Sequence, residues 1–227
     1  QSTGIPGSGG VGYITKGGVT FISDRGTQNT FVGRNAGSLL QTGANDNTAL
    51  GFNALSALTT GDFNTAVGSN ALAAVNTGST NTAVGQNAMA QLTNGQTNTA
   101  VGFSALLACN STSNTAVGAS ALRSNIDGAA NTAVGSGALQ TSTGDNNTAI
   151  GNIAGNAITS GTRNVLLGAR AAVLATTGSN NIAVGAEALQ RVTTGTSNIA
   201  IGDNAAQRVV SGNNNIVVGD NAEIGRA

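Results

Sequence analysis

From Asn29 onward, polar and apolar positions recur in a short cycle. The cycle opens on Asn-Thr-Ala-Val-Gly or a close variant. Its asparagines are Asn29, Asn47, Asn64, Asn81, Asn98, Asn114, Asn131, Asn147, Asn164, Asn181, Asn198 and Asn215. They lie 16, 17 or 18 residues apart, so twelve units run from Asn29 to the C-terminus. Self-similarity at a fixed short period marks a repeat architecture.

With the Asn as position 0, position 4 is always Gly: Gly33, Gly51, Gly68, Gly85, Gly102, Gly118, Gly135, Gly151, Gly168, Gly185, Gly202 and Gly219. Position 7 is always Ala, and position 3 is always Val, Leu or Ile. Position 1 is Thr in eight units and then Val165, Ile182, Ile199 and Ile216. Positions 0 to 3 alternate with the period of a strand. The exchange of Thr for Val or Ile at position 1 reads as a site turned inward at the core margin. Position 8 is often Leu or Met, and position 11 is commonly apolar, as in Leu72 and Val75. Positions 7, 8 and 11 have helical spacing and predict a short helical turn or a second strand. A Gly three residues before most of the next asparagines, such as Gly61, Gly78 and Gly95, signals the closing turn.

A unit this small cannot bury its apolar face alone, whereas stacked copies share one continuous core. The fold expected is a mainly β, repetitive β-solenoid of about twelve coils, roughly 50–55 Å long at the ~4.8 Å strand spacing. In it the position-0 asparagines stack as an amide ladder, each NH2 donating to the next carbonyl. Gly at position 4 supplies a backbone conformation or close approach barred to other residues. A core lined by Ala, Val and Leu is thin, and thin folds gain burial by association. Several chains side by side, three by expectation, supply that burial.

Composition narrows the function. Of 227 residues 8% are charged and 3% aromatic, with no His or Trp. An average domain is about one-quarter charged. Without His there is no Ser-His-Asp triad and no His-ligated metal. The lone Cys109 makes neither an internal disulfide nor a thiolate cluster. Nine basic and nine acidic residues leave no net charge and no basic patch for nucleic acid. No apolar run approaches the ~20 residues of a membrane helix. An enzyme, a cofactor, an obligatory metal, a nucleic-acid partner and membrane insertion are all unexpected.

Residues 1–28 do not follow the repeat. They read as a Gly-rich leader with one capping strand, Val19–Ser23, or as a segment joining a neighbour. Residues 29–227 are the repeat solenoid. The twelfth unit stops at Ala227 without a cap. Such an end exposes strand edges that pair with other chains, so a further domain or an end-to-end polymer is expected there.

Asn-Thr-Ala-Val-Gly followed by Ala-Leu and a Thr-Gly turn resembles the repeats of bacteriophage tail fibres and of secreted bacterial repeat proteins. The opening from Gly18 to Gly33 resembles the start of such arrays. More distantly, the units are similar to the head repeats of trimeric autotransporter adhesins. The resemblance implies a parallel homotrimer of left-handed β-rolls outside the cell. The strand motif has one residue fewer before its Gly than the adhesin pattern, and the repeat is longer.

Other candidates are few. Asp203 and Asp220 share position 5 of successive units, where paired carboxylates hold a shared cation or stand as solvated corners. Asp46, Asp62 and Asp145 lie just before position-0 asparagines without forming a calcium repeat. Cys109 fits the apolar column as a buried thiol. Asn110-Ser111-Thr112 and Asn146-Asn147-Thr148 match the glycosylation pattern, and Lys16 completes no phosphate loop. The function expected is a non-enzymatic extracellular fibre or filament. The alternative is a receptor-binding tail fibre or adhesin gripping a glycan or surface protein through Tyr13, Phe21, Phe31, Phe52, Phe63 or Phe103. An ice-binding solenoid needs an outward Thr array, and the inward reading of position 1 argues against it.

Overall fold

The computed structural model describes residues 13–16, 19–23, 28–40 and 43–224. The chain forms two compact units, Gln1–Thr112 and Ser113–Ala227. The first opens with β1 (Tyr13–Lys16) and β2 (Val19–Ser23), paired antiparallel with a register break between Ile14 and Thr15. The 1–28 segment thus carries two strands where the sequence pattern suggested one. Strand β2 pairs antiparallel with β3 (Thr30–Val32). Four parallel strands follow: β4 (Thr48–Leu50), β5 (Thr65–Val67), β6 (Thr82–Val84) and β7 (Thr99–Val101). Each lies on its predecessor in unbroken register, Thr on Thr and Ala49 on Phe31.

The second unit holds β8 (Thr115–Val117), β9 (Thr132–Val134), β10 (Thr148–Ile150), β11 (Val165–Leu167), β12 (Ile182–Val184), β13 (Ile199–Ile201) and β14 (Ile216–Val218). All pair parallel, residue for residue. With one short strand per coil, each unit is a stretch of parallel β-solenoid.

The strands end after three residues because the position-4 glycines leave the β region, with φ from +128° to +144°. Close approach adds a second requirement. A Cβ on Gly85 would lie 2.5 Å from the carbonyl oxygen of Gly102 in the next coil. Only Gly meets both conditions.

The expected helical turn or second strand after this corner is absent among the described residues; the segment is a series of turns. Positions 6 and 8 explain why. Asn70, Leu72, Asn87 and Met89 have φ of +57°, +50°, +58° and +49°. Alternating left-handed residues cannot continue a right-handed helix. Their N–H groups leave the coil instead: Asn70 donates to Phe52 O, Leu72 to Ala88 O and Ala74 to Ala90 O. The 7, 8, 11 spacing therefore marks the inner lining of a turn-rich arc. A non-glycine residue in this conformation costs about 1–2 kcal/mol. Burial of the same Leu returns about 1.5–3 kcal/mol, which is why the arc keeps Leu.

The core is thin and its volume is fixed. Ala66, Ala71, Leu72 and Val75, at positions 2, 7, 8 and 11, are fully buried. Where a larger residue replaces Ala at position 2, a facing position 8 shrinks. Phe31 is met by Gly37 and Leu166 by Gly155; a Cβ on either glycine would lie 2.6 Å from that side chain. At crystal-like interior density a change of even one methylene is felt.

Gly85→Ala is expected to destabilise the fold by at least about 3 kcal/mol, through backbone strain plus a clash with the next coil. Gln91→Ala, at an exposed position, is expected to change stability by less than about 0.5 kcal/mol. Urea denaturation of both variants checks the contrast.

Candidate functional site

Two columns of side-chain amides run along the coils. The inner one is made by the position-0 asparagines. The Asn64 amide nitrogen donates to Asn47 Oδ1 at 3.1 Å and to Gly78 O at 2.8 Å, while its backbone N–H donates to the same Asn47 Oδ1 at 2.9 Å. Asn47 repeats this pattern on Asn29, and Asn81 and Asn98 continue it. In the second unit Asn164, Asn181, Asn198 and Asn215 reach back in the same way to Asn147, Asn164, Asn181 and Asn198. The backbone N–H groups of Asn131 and Asn147 donate to Asn114 and Asn131. The donor thus sits in the later coil and the acceptor in the earlier one. One NH2 binds the preceding coil and closes its own coil onto a corner carbonyl, that of Gly61, Gly78 or Gly95, or of Ser111 for Asn98.

The outer column stands at position 6 and runs in the opposite sense. Asn35 donates to Asn53 at 3.0 Å, Asn53 to Asn70 at 3.2 Å and Asn70 to Asn87 at 3.2 Å. Its signal was present in the sequence as Gly-x-Asn after each of β3, β4, β5 and β6. In the second unit Arg170 and Glu187 share this column as an ion pair at 3.0 Å, joined by Gln207 Nε2 at 2.8 Å from Glu187 Oε2.

The aspartates serve the same stacking. Asp203 accepts the Ala186 N–H at 2.8 Å, and Asp220 accepts the Asp203 N–H at 3.1 Å. Asp62 and Asp145 accept the N–H groups of Asn45 and Ala129. Asp46 takes a left-handed corner, with φ of +56°. Among the described residues no group of three or more His, Cys, Asp and Glu could hold a metal ion. Cys109 is buried with Sγ 3.3 Å from Ser111 Oγ. Asn110 Oδ1 accepts both the N–H and the hydroxyl of Thr93. Asn146 lies exposed at another left-handed corner.

Position 1 corrects the sequence reading. It faces outward, together with position 3. Val165 and Ile182 are each 36% exposed and Ile216 is 73% exposed; across the same face, Leu50 is 49% and Ile201 42% exposed. The cause is parity: the buried asparagine at position 0 and Ala at position 2 claim the inner side, so positions 1 and 3 must take the other. An outward Thr array is therefore present. Thr48, Thr65, Thr82 and Thr99 carry that array in the first unit, and Thr115, Thr132 and Thr148 in the second.

The aromatics divide. Phe31 is buried in the core, which removes it from any binding patch. Phe52, Phe63 and Phe103 are exposed, and the Arg34 guanidinium lies 4.7 Å from the Phe52 ring centroid. The side chains of Tyr13 and Phe21 lie outside the described residues.

Against protein-family models, curated proteins and solved structures, the sequence and fold return no match.

Asn81→Ala removes four hydrogen bonds and leaves the Gly95 carbonyl and the Asn98 N–H buried without this partner. It is expected to cost about 3–5 kcal/mol, since each orphaned buried group costs ~1–3 kcal/mol. Asn87→Ala in the outer column leaves groups that water reaches, and is expected to cost about 1 kcal/mol or less. Thermal unfolding of the pair measures the difference.

Proposed function

We propose that the chain is a non-enzymatic structural component of an extracellular fibre or filament. Its stacked coils supply length and stiffness, and copies lie side by side, three to a bundle. The observation that carries this reading is the continuity of axial bonding. Strand backbones, arc backbones, an inner amide column and the corner carboxylates all bond from one coil to the next. Such an element resists bending and stretching at every point of its perimeter, and the near-identical coils allow length without new design.

A second reading has its own support. Phe52 and Phe103 share position 5, and Phe63 is 60% exposed. Exposed aromatics of this kind suit a sugar face or an apolar protein surface, as in a receptor-binding fibre or adhesin.

Electron microscopy of the purified protein with light-scattering mass tests the first reading. Elongated particles or filaments with a mass that is a multiple of the 22.0 kDa chain are expected; compact 22.0 kDa particles would refute it. Attachment to cells that is abolished by Phe52→Ala and Phe103→Ala, with the fibre intact, would favour the second.

A further inference from the structure

We infer that the outward strand face, positions 1 and 3 of successive coils, is the surface on which a second copy of this chain packs. The inference rests on the fibre reading and names the contact it uses.

The first observation is that most of the large exposed apolar side chains gather here, with Leu39, Ile126, Leu174, Val210 and Ile224 outside it. In the first unit Leu50, Val84 and Val101 stand on this face, and Phe52, Phe63 and Phe103 stand at its two margins. In the second, Ile150, Val165, Ile182, Ile201, Ile216 and Val218 all belong to it. An apolar surface of this extent marks an interaction site. No residue at position 1 or 3 is charged in any coil.

The second observation concerns the hydroxyls. Corner threonines are bonded within the solenoid: Thr77 to Asn94, Thr93 to Asn110, and Thr176 to Thr193 O. The strand threonines Thr48, Thr65, Thr82 and Thr99 have no such partner among the described residues. The face therefore offers a regular array of methyls with hydroxyls free to bond across an interface.

Geometry selects the occupant. Side chains on this face repeat at the coil spacing of ~4.8 Å. A partner that matches them over many coils needs the same axial repeat, and a second copy has it by construction. Area is consistent with this. Taking ~3.3 Å per residue across positions 0 to 4 and ~4.8 Å per coil, the first unit offers about 300 Å² and the second about 450 Å², each of the few-hundred-Å² size at which an exposed apolar patch marks an interaction site. Positions 1 and 3 themselves hold no cation for a nucleic acid or an anionic headgroup, and the margins mix Arg34 and Arg163 with Asp203 and Asp220.

The test compares the full chain with the double variant Val84→Lys/Ile182→Lys and with Gln91→Lys, an exposed control off this face. Sedimentation equilibrium reads mass, and circular dichroism reads the fold. The wild type and Gln91→Lys are expected to associate with the same constant. The double variant is expected to keep its β spectrum and lose at least a hundredfold in association. Association unchanged by the two lysines would overturn the inference and leave the fibre reading standing. A wild type that stays monomeric at every concentration would sink both. If the double variant unfolds, spin labels at Thr82→Cys with Cys109→Ser replace it. Dipolar distances below about 25 Å between copies support packing through this face, where packed sheets lie ~10 Å apart, and longer distances contradict it. Thermal hysteresis in ice growth by the wild type would assign the Thr array to ordered water and overturn the inference.

Discussion

The buried asparagine at position 0 is the constraint on which the rest depends. Its amide group is short, planar and able to donate twice and accept twice. In the inner column it uses that capacity in full at Asn64: the oxygen receives the backbone and side chain of Asn81, and the nitrogen reaches Asn47 and Gly78. No other side chain of this size provides both functions. Asp lacks the donors, and Ser or Thr lacks the reach. Once the asparagine is inside, strand parity places Ala at position 2 inward and turns positions 1 and 3 outward. One buried residue thereby fixes the axial register, the coil closure and the chemistry of the outer face.

The glycines follow from the same tight stacking. Coil corners approach so closely that Gly85 and Gly78 each face a carbonyl of the next coil at 2.5 Å from where a Cβ would stand. The arc between the corners accepts left-handed leucines because each leucine is buried and its N–H is bonded to a neighbouring coil. Local strain and axial bonding are thus two sides of one arrangement. An isolated coil would have the strain without the bonds, which is why the element exists only as a stack. The exchange of Phe31 for Ala against Gly37 for Leu shows how little the core tolerates in volume.

Much of this was legible in the sequence. The repeat and its period announced a solenoid, and the three-residue strands fall where alternation placed them. The arc was not legible. Positions 7, 8 and 11 have helical spacing, but that spacing also arises when a left-handed turn points three side chains inward, and composition cannot separate the two. The outward turn of position 1 was misread for a related reason. Substitution of Ile182 and Ile199 for Thr looks like core margin, yet an apolar residue on a face that meets another surface shows the same pattern. The inner Asn column was visible as a repeated residue. The outer one, from Asn35 to Asn87, was equally visible but stood three residues beyond the strand, among corner positions where Asn is common for conformational reasons alone.

The central claim is that, within each unit, coils are bonded to their neighbours around the whole perimeter, arc as well as strand. Native-state amide hydrogen exchange tests it most directly. The account predicts that the arc amides of Asn70, Leu72 and Ala74 are protected to the same degree as the strand-side amides of Thr65 and Gly68, since all five donate across coils. Fast exchange of the three arc amides beside slow exchange of Thr65 and Gly68 would contradict it, and would reduce the solenoid to a bonded sheet trailing unbonded loops.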